Sequence, residues 1–155
     1  MNFKKPMNRF FATFTLALAI FAQDRPSQAS EKAPTSHVIK HFVAFRFKDS
    51  VTESQRVEVQ NRFLALKTNA RRNGKNYILS IESGLANSPE GADQGMTQGY
   101  IVTFKSAEDR DYYVGKPFFA DFDPAHDAFK QLVGPLLDTD DQGKVTGVFV
   151  FDFEN

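Results

Sequence analysis

The chain contains no cysteine and no tryptophan among its 155 residues, and it has only three histidines. Without cysteine it can form neither a disulfide nor a thiolate metal site. No set of ligands occurs at the spacing of a structural zinc site, so we expect no metal ion. The Gly-x-Ser-x-Gly pattern of a serine nucleophile is missing as well. These absences together predict a protein without metal or other cofactor.

Two short stretches contain residues typical of ligand loops but lack the required context. "GADQGMTQG" has glycines at 91, 95 and 99. It lies between two predicted strands, whereas a phosphate-binding loop joins a strand to a helix. The acids of "DTDDQGK" (138–144) lack the spacing and the final glutamate of a calcium loop. We therefore predict neither a nucleotide site nor a calcium site.

No apolar run is long enough to span a bilayer comfortably. The run "FFATFTLALAIFA" (10–22) has thirteen residues, whereas a spanning helix needs about 20. Lys4, Lys5 and Arg9 precede the run, and "SQA" (27–29) follows it with small side chains. This order is typical of a secretory signal peptide.

The sequence therefore predicts three segments. Residues 1–29 are a signal peptide cleaved after Ala29, with Ala22 as the alternative site and an uncleaved anchor as the alternative reading. Residues 30–36 are a polar linker, and residues 37–153 form one domain. We expect the mature protein to be secreted or periplasmic, without a membrane attachment.

Net charge argues against a nucleic-acid partner. The chain has 19 basic and 19 acidic residues, and the first 29 residues hold four Lys/Arg and one Asp, which leaves 15 and 18, a net charge of −3. Nucleic-acid binding usually requires a clustered basic surface. The short basic cluster "NARRNGK" (69–75) resembles a helix end, where cations oppose the negative end of the dipole.

Hydrophobic periodicity predicts the order β-α-β-β-α-β. Strand-like patterns occupy 37–48, 77–86, 99–105 and 145–153, and helical patterns occupy 49–74, 106–115 and a region from 124 that must kink or stop at Gly134-Pro135. Thr52 with Gln55 predicts a capping box, Ser106 and Asp123 are further caps, and Gly74 is expected to end the first helix. The chain should therefore form an α+β, ferredoxin-like sandwich with a four-stranded antiparallel sheet.

One face of this sheet would lack a helical cover. Phe149, Phe151 and Phe153 share one face of the last strand, and we expect Phe42, Ala44, Val148 and Val150 to be apolar on the face opposite the main stripe. An apolar sheet face in water is an interaction patch. A second copy packed face to face would cover it, which predicts a homodimer.

Three stretches together resemble one known family. They are "KHFVAFRFKD" (40–49), "SPEGADQGMTQGYIVTF" (88–104) and "DPAHDAF" (123–129). The chain is similar to the stress-responsive A/B barrel, or Dabb, domain over about residues 37–153. The resemblance implies a ferredoxin-like fold that pairs into a dimeric α/β barrel.

The resemblance also implies candidate site residues. A plant member of similar pattern is a cofactor-free polyketide cyclase that uses a histidine and a tyrosine, which correspond to His126 and Tyr113 as candidate catalytic residues. The family's first-strand histidine corresponds to His41. Gln98 stands where the family commonly has a histidine, so a group that titrates near neutrality is replaced by one that does not.

The residues themselves leave the role of His126 open. It lies near the start of a helix, where the dipole favours a neutral imidazole, and Phe129 and Val133 place it on the helix's apolar side. It is a general base, a ligand-orienting group or a packed core residue. For His41, packing is the favoured reading. The candidate pocket between sheet and helices has His126, Tyr113 and His41 with Phe45, Gln98 and Val102 as further ligand-binding residues.

Three functions follow as hypotheses. The first is a homodimer that binds a small apolar or aromatic ligand, with no assigned activity. The second is a cyclase-like enzyme that uses the His126 and Tyr113 pair. The third is an assembly module without a ligand. The phenylalanine-rich stretch 116–122 is either a lid over the pocket or a dimer contact.

Overall fold

The computed structural model describes Met1 and residues 37–155. Apart from Met1, the predicted signal peptide and linker lie outside the described residues. Four strands and three α-helices follow in the order β1 (Ile39–Phe45), α1 (Glu53–Asn69), β2 (Ile78–Leu85), β3 (Gln98–Phe104), α2 (Ala107–Val114), α3 (Pro124–Val133) and β4 (Val148–Glu154), with a 3-10 turn at Gly134–Leu136 after α3.

The strands form one antiparallel sheet in the order β2-β3-β1-β4. The helices pack on one face, where a continuous apolar core joins Phe63 of α1 and Phe129 of α3 to Phe45 and Tyr100 of the sheet. This arrangement confirms the predicted ferredoxin-like α+β fold with its second helical region in two pieces.

Helix α1 begins as the sequence predicts and ends earlier. The Thr52 side chain accepts from the Gln55 amide, and the Gln55 side chain accepts from the Thr52 amide, so the capping box is confirmed. The predicted end at Gly74 is wrong, because Ala70 closes the helix and then turns to an extended conformation. Gly74 instead takes a φ of 74° in the turn after the helix, where Arg72 and Lys75 pair.

The short helices α2 and α3 have the predicted caps. The Ser106 side chain accepts from the Asp109 amide, and α2 ends at Gly115, where φ is 58°. A Cβ at Gly115 would lie 2.5 Å from the Cβ of Phe122, so the return of the chain requires glycine there. Asp123 caps α3, with Pro124 in its first turn.

Strands β1 and β4 are shorter than predicted where the end of β1 pairs with the start of β4. Strand β1 stops at Phe45 rather than residue 48, and β4 starts at Val148 rather than residue 145. Beyond Phe45, the Arg46 amide donates to the Gly147 carbonyl, and the Asp138 amide donates to the Arg46 carbonyl. A Cβ at Gly147 would lie 2.1 Å from the Arg46 carbonyl oxygen. The close approach of these two backbone segments therefore leaves no room for a side chain at position 147.

The register of β4 corrects the predicted faces of the sheet. Val148 pairs with Phe45 and Val150 with Val43, so both valines lie on the helix side rather than with Phe42 and Ala44. Because paired residues share a face, the three phenylalanines of β4 lie with Phe42 and Ala44 on the face without helices. We call this the open face; its apolar members are Phe42, Ala44, Ile101, Phe149, Phe151 and Phe153.

Candidate functional site

His126 lies in the first turn of α3, and the cap of that helix fixes its main chain. The buried Asp123 carboxylate accepts from the Ala125 amide at 2.7 Å and from the His126 amide at 3.3 Å. The Tyr77 hydroxyl donates to the other carboxylate oxygen at 2.5 Å. A buried carboxylate with three donors therefore holds the start of the helix, and the position of the imidazole follows from it.

The His126 imidazole is held as one neutral tautomer. Its Nδ1 lies 2.5 Å from the carbonyl oxygen of Tyr113, and a carbonyl only accepts, so Nδ1 carries the proton and Nε2 is left as the acceptor. Burial lowers the pKa of His126 to about 3, against a smaller opposing effect of that carbonyl. The imidazole can thus accept a proton at Nε2 but is not charged at neutral pH.

The Tyr113 ring packs flat on His126. The ring centroids are 3.6 Å apart and the planes differ by 13°. The Tyr113 side chain is buried, and within the described residues its hydroxyl has no hydrogen-bond partner. Burial, with a contribution from the Asp123 charge, raises the pKa of Tyr113 above its ordinary value. The phenol therefore stays protonated and keeps a free donor in the core.

His41 belongs to the same cluster and has an acidic partner that the sequence analysis missed. Its Nδ1 donates to an Asp152 oxygen at 2.6 Å, and Arg110 of α2 donates to the other oxygen. The His41 ring meets the Tyr113 ring edge-on at 5.6 Å. Burial lowers the pKa of His41, although Asp152 opposes this shift. The sequence marks Asp152 as the carboxylate between the phenylalanines of "FDF" but does not indicate its partner.

The other candidate site residues are further from this cluster or fill the core. Val102 lies directly opposite His41 in the sheet and is fully buried. Phe45 and Gln98 oppose each other at the far end of β1 and β3. The Gln98 side chain accepts from the Tyr100 hydroxyl at 3.1 Å and donates to the Arg56 carbonyl at 3.3 Å. His126, Tyr113, His41 and Val102 are therefore brought together, and Gln98 is not.

The larger cavity lies on the open face rather than beneath the helices. It has a volume of about 630 Å³ and lies between the sheet and the loop that joins β2 to β3. A second cavity of about 360 Å³ lies between the start of α1 and the same loop. Gln98 lines both cavities, and neither is lined by His126, Tyr113 or His41. The side chains that line the larger cavity include Phe42, Ala44, Glu82, Leu85, Met96, Ile101 and Phe149.

The phenylalanine-rich stretch 116–122 projects from the region between α2 and α3. Phe118 is 77 % exposed and Phe119 is 38 % exposed. The Lys116 ammonium lies 4.1 Å from the centre of the Phe122 ring. No residue of this stretch lines either cavity, and its roles as a lid or a dimer contact stay predictions.

The described part of the chain holds neither a metal-binding cluster nor a helix suited to span a membrane. Residues 37–155 contain no group of three or more His, Asp or Glu side chains that could hold a metal ion. No helix among these residues is both long and apolar enough to cross a membrane.

Comparisons with known proteins agree with the fold. The family model described as the Stress responsive A/B Barrel Domain matches residues 39–155. No curated protein is significantly similar in sequence. A crystal structure of At3g17210 from Arabidopsis thaliana is 25% identical with a TM-score of 0.57, and the alignment covers 74% of this chain and 92% of that chain.

Two further solved structures are similar in fold. Hydroxynitrile lyase from Passiflora edulis is 17% identical with a TM-score of 0.59, and the alignment covers 77% of this chain and 94% of that chain. A dimeric ferredoxin-like protein of unknown function from Thermobifida fusca is 15% identical with a TM-score of 0.55, over 77% of this chain and 92% of that chain.

Proposed function

This chain belongs to the stress responsive A/B barrel (Dabb) family, and on that premise we propose that two copies pack sheet to sheet and enclose a small apolar ligand. The observation that carries the proposal is the open face. Phe149, Phe151 and Phe153 are 49 %, 57 % and 42 % exposed there, and the larger cavity lies on the same face. Aromatic side chains in a contiguous exposed patch mark an interaction surface.

A second copy is the occupant that best fits this face. The open face is broad and apolar, and in a two-fold dimer it would be buried on both partners by one set of contacts. The similar Thermobifida fusca protein is described as dimeric, which supports the same assembly here. In such a dimer the cavity beside the β2–β3 loop would be roofed by the partner and would become a container for a ligand.

A matched pair of variants tests the dimer. Phe151→Glu introduces a charge at the middle of β4 on the open face and should give a monomer by sedimentation equilibrium. Phe118→Glu introduces the same charge at a phenylalanine that is outside the sheet and should leave the dimer intact. A monomeric wild type would contradict the proposal. A monomeric Phe118→Glu variant would instead identify the stretch 116–122 as a dimer contact.

A second pair tests the container. Gly84 lines the cavity, and a Cβ there would meet nothing within 4 Å, so Gly84→Leu fills the space without a clash. Gly134 has the same freedom and does not line the cavity, so Gly134→Leu is the control. The fluorescence of N-phenyl-1-naphthylamine should rise on binding to wild type and Gly134→Leu but not to Gly84→Leu. An equal rise with all three proteins would rule out this cavity, and no rise with any of them would favour the assembly module.

A second candidate function is cofactor-free acid–base catalysis on an activated carbonyl compound. The unpartnered Tyr113 hydroxyl beside a neutral His126 favours it, because the phenol can donate to a developing oxyanion and Nε2 can accept a hydrogen bond from the substrate. His41, oriented by Asp152, is the third polar group of the cluster. Turnover that persists in His126→Ala and Tyr113→Phe variants would exclude these roles.

We also propose, from the sequence pattern alone, that residues 1–29 direct export. Mass spectrometry of the protein from an export-competent host should give Ser30 as the first residue, or Gln23 for the alternative cleavage site. An intact Met1 terminus on a membrane-bound protein would instead identify an uncleaved anchor.

A further inference from the structure

Glu82 is an exposed carboxylate on the edge strand β2 that lines the larger cavity and has no partner among the described residues. It lies on β2 directly opposite Ile101, which in turn opposes Phe42. The Glu82 side chain makes no hydrogen bond or ion pair with any residue that the structure describes. An unpaired carboxylate therefore stands in a row of apolar side chains.

The surroundings of Glu82 are negative as well as apolar. No Lys, Arg or His is among the residues that line the cavity. The second acid of the lining, Asp93, uses one carboxylate oxygen to accept from the Gly95 amide at 2.8 Å, so it is engaged in the turn of its own loop. Glu82 thus remains as the acid of the lining whose side chain has no hydrogen-bond partner among the described residues.

The lysine of the neighbouring row on the open face is already engaged elsewhere. Lys40 projects from β1 on the open face, and its ammonium donates to the Thr103 hydroxyl at 2.9 Å. The Ser80 hydroxyl donates to the same Thr103 oxygen, which completes a polar row across three strands. This row lies two residues along the strands from the Glu82–Ile101–Phe42 row, and no side-chain hydrogen bond among the described residues joins the two.

Burial of the open face in a dimer would make the charge of Glu82 energetically unfavourable. A second copy that covers β2 as well as β4 would remove water from the exposed Glu82. A desolvated carboxylate without a partner strongly disfavours the closed state. A ligand that brings a positive charge offsets this cost in the closed site, whereas a neutral apolar ligand of the same shape does not. Charge complementarity therefore selects among apolar ligands.

We propose that the enclosed cavity binds an apolar organic cation, an amine whose ammonium group pairs with Glu82 while its hydrocarbon part contacts Phe42, Ile101 and Phe149. This inference rests on the proposed function, since it names the class of ligand that the dimer would contain. Its chemistry differs from that of the second candidate function, because the site is on the other face of the sheet from His126 and needs no reaction.

Three adamantane derivatives, which share one hydrocarbon cage and differ in charge, test the effect of ligand charge on binding. 1-Adamantanamine is a cation at pH 7, 1-adamantanol is neutral and 1-adamantanecarboxylate is an anion. By isothermal titration calorimetry, wild type should bind the amine at least tenfold more tightly than the alcohol and should not bind the carboxylate. Glu82→Gln should reduce the preference for the amine to less than twofold. Glu90→Gln, in the same loop region but not lining the cavity, should keep it.

The outcomes separate this inference from the proposed function. Equal binding of the amine and the alcohol to wild type, or an amine preference that survives in Glu82→Gln, overturns the ligand class and leaves the dimeric container standing. No binding of any cage compound or of N-phenyl-1-naphthylamine overturns both. Sedimentation without ligand adds a further check. A Glu82→Gln dimer that dissociates at least tenfold more readily would mean that Lys40 of a second copy already pairs with Glu82, which also overturns the inference.

Discussion

His126 is a buried imidazole whose Nδ1 proton is fixed by the Tyr113 carbonyl. Its contribution to the stability of the fold depends on pH. Its pKa is lowered by burial to about 3 in the folded chain, against 6.5 as the ordinary value. Between pH 6.5 and about 3, His126 is therefore protonated in the unfolded chain but not in the folded chain. The stabilisation is fully present above pH 6.5 and is lost as the pH falls toward 3.

We accordingly expect the free energy of unfolding to fall by about 1.4 kcal/mol per pH unit below 6.5 because of this residue. Urea denaturation of wild type and His126→Gln from pH 7 to pH 4.5 measures it, and the variant should show a shallower pH dependence. Phe129→Leu is the control, since it perturbs the same core without removing a titratable group. The prediction is wrong if His126→Gln and wild type lose stability in parallel.

The two buried tyrosines of the core should respond in opposite ways to loss of the hydroxyl. Tyr113→Phe removes a hydroxyl without a partner and should raise the free energy of unfolding by about 1 kcal/mol. Tyr100→Phe removes a hydrogen bond to Gln98 and should lower it by a similar amount. Thermal or urea unfolding of both variants checks this, and a destabilised Tyr113→Phe would show that its hydroxyl has a partner in solution.

Sequence reasoning found part of this cluster and missed the rest for a definite reason. The spacing of Phe129 and Val133 placed His126 on the inner side of its helix, and it is indeed buried. Asp152 and Arg110 were missed because their importance comes from the pairing of β4 with β1, which brings residues 111 positions apart within 2.6 Å. A local pattern carries no information about that pairing.

At the scale of the element, the helix caps differ in how much they stabilise the fold. Thr52 caps α1 at the surface, whereas Asp123 caps α3 from inside the core and also accepts from Tyr77. We expect Thr52→Ala to cost about 1 kcal/mol of stability. Asp123→Ala should cost about 3 kcal/mol, because it leaves buried donors unpaired. Equal losses for the two variants in urea denaturation would contradict the structural distinction.

Strand β4 shows what alternation can and cannot predict. A period of two correctly indicated that Phe149, Phe151 and Phe153 share one face. It could not indicate which face, because the neighbouring valines make both sides apolar. Only the register against β1 decides this, and it places the phenylalanines on the open face. The same ambiguity explains why Val148 and Val150 were assigned to the wrong side.

For the whole molecule, the order of elements was predictable because caps, glycines and apolar periods agree along the chain. The position of the larger cavity was not, since it depends on how the β2–β3 loop lies over the sheet. That loop is held by the Arg46 guanidinium, which donates to the Gln94 carbonyl at 2.7 Å and to Asp138 at 2.9 Å. Arg46, which follows β1 directly, therefore positions a loop that lines the larger cavity.

If two copies share the open face, stability should depend on protein concentration. A hundredfold dilution of wild type should lower the free energy of unfolding per dimer by about 3 kcal/mol and lower the melting temperature accordingly. The Phe151→Glu variant should melt at one temperature at all concentrations. Differential scanning calorimetry at several concentrations checks this, and a concentration-independent wild type would contradict the dimer.

Gly147 links the backbone packing at the start of β4 to the position of the open face. Any side chain at that position would collide with the carbonyl of Arg46 and the amide of Asp138, at 2.1 Å and 2.5 Å from its first carbon. To make room, the entry of β4 would have to lift away from β1 and carry its phenylalanines with it. A Gly147→Ala substitution, which hardly changes the hydropathy of the sequence, would therefore displace the phenylalanines of the open face.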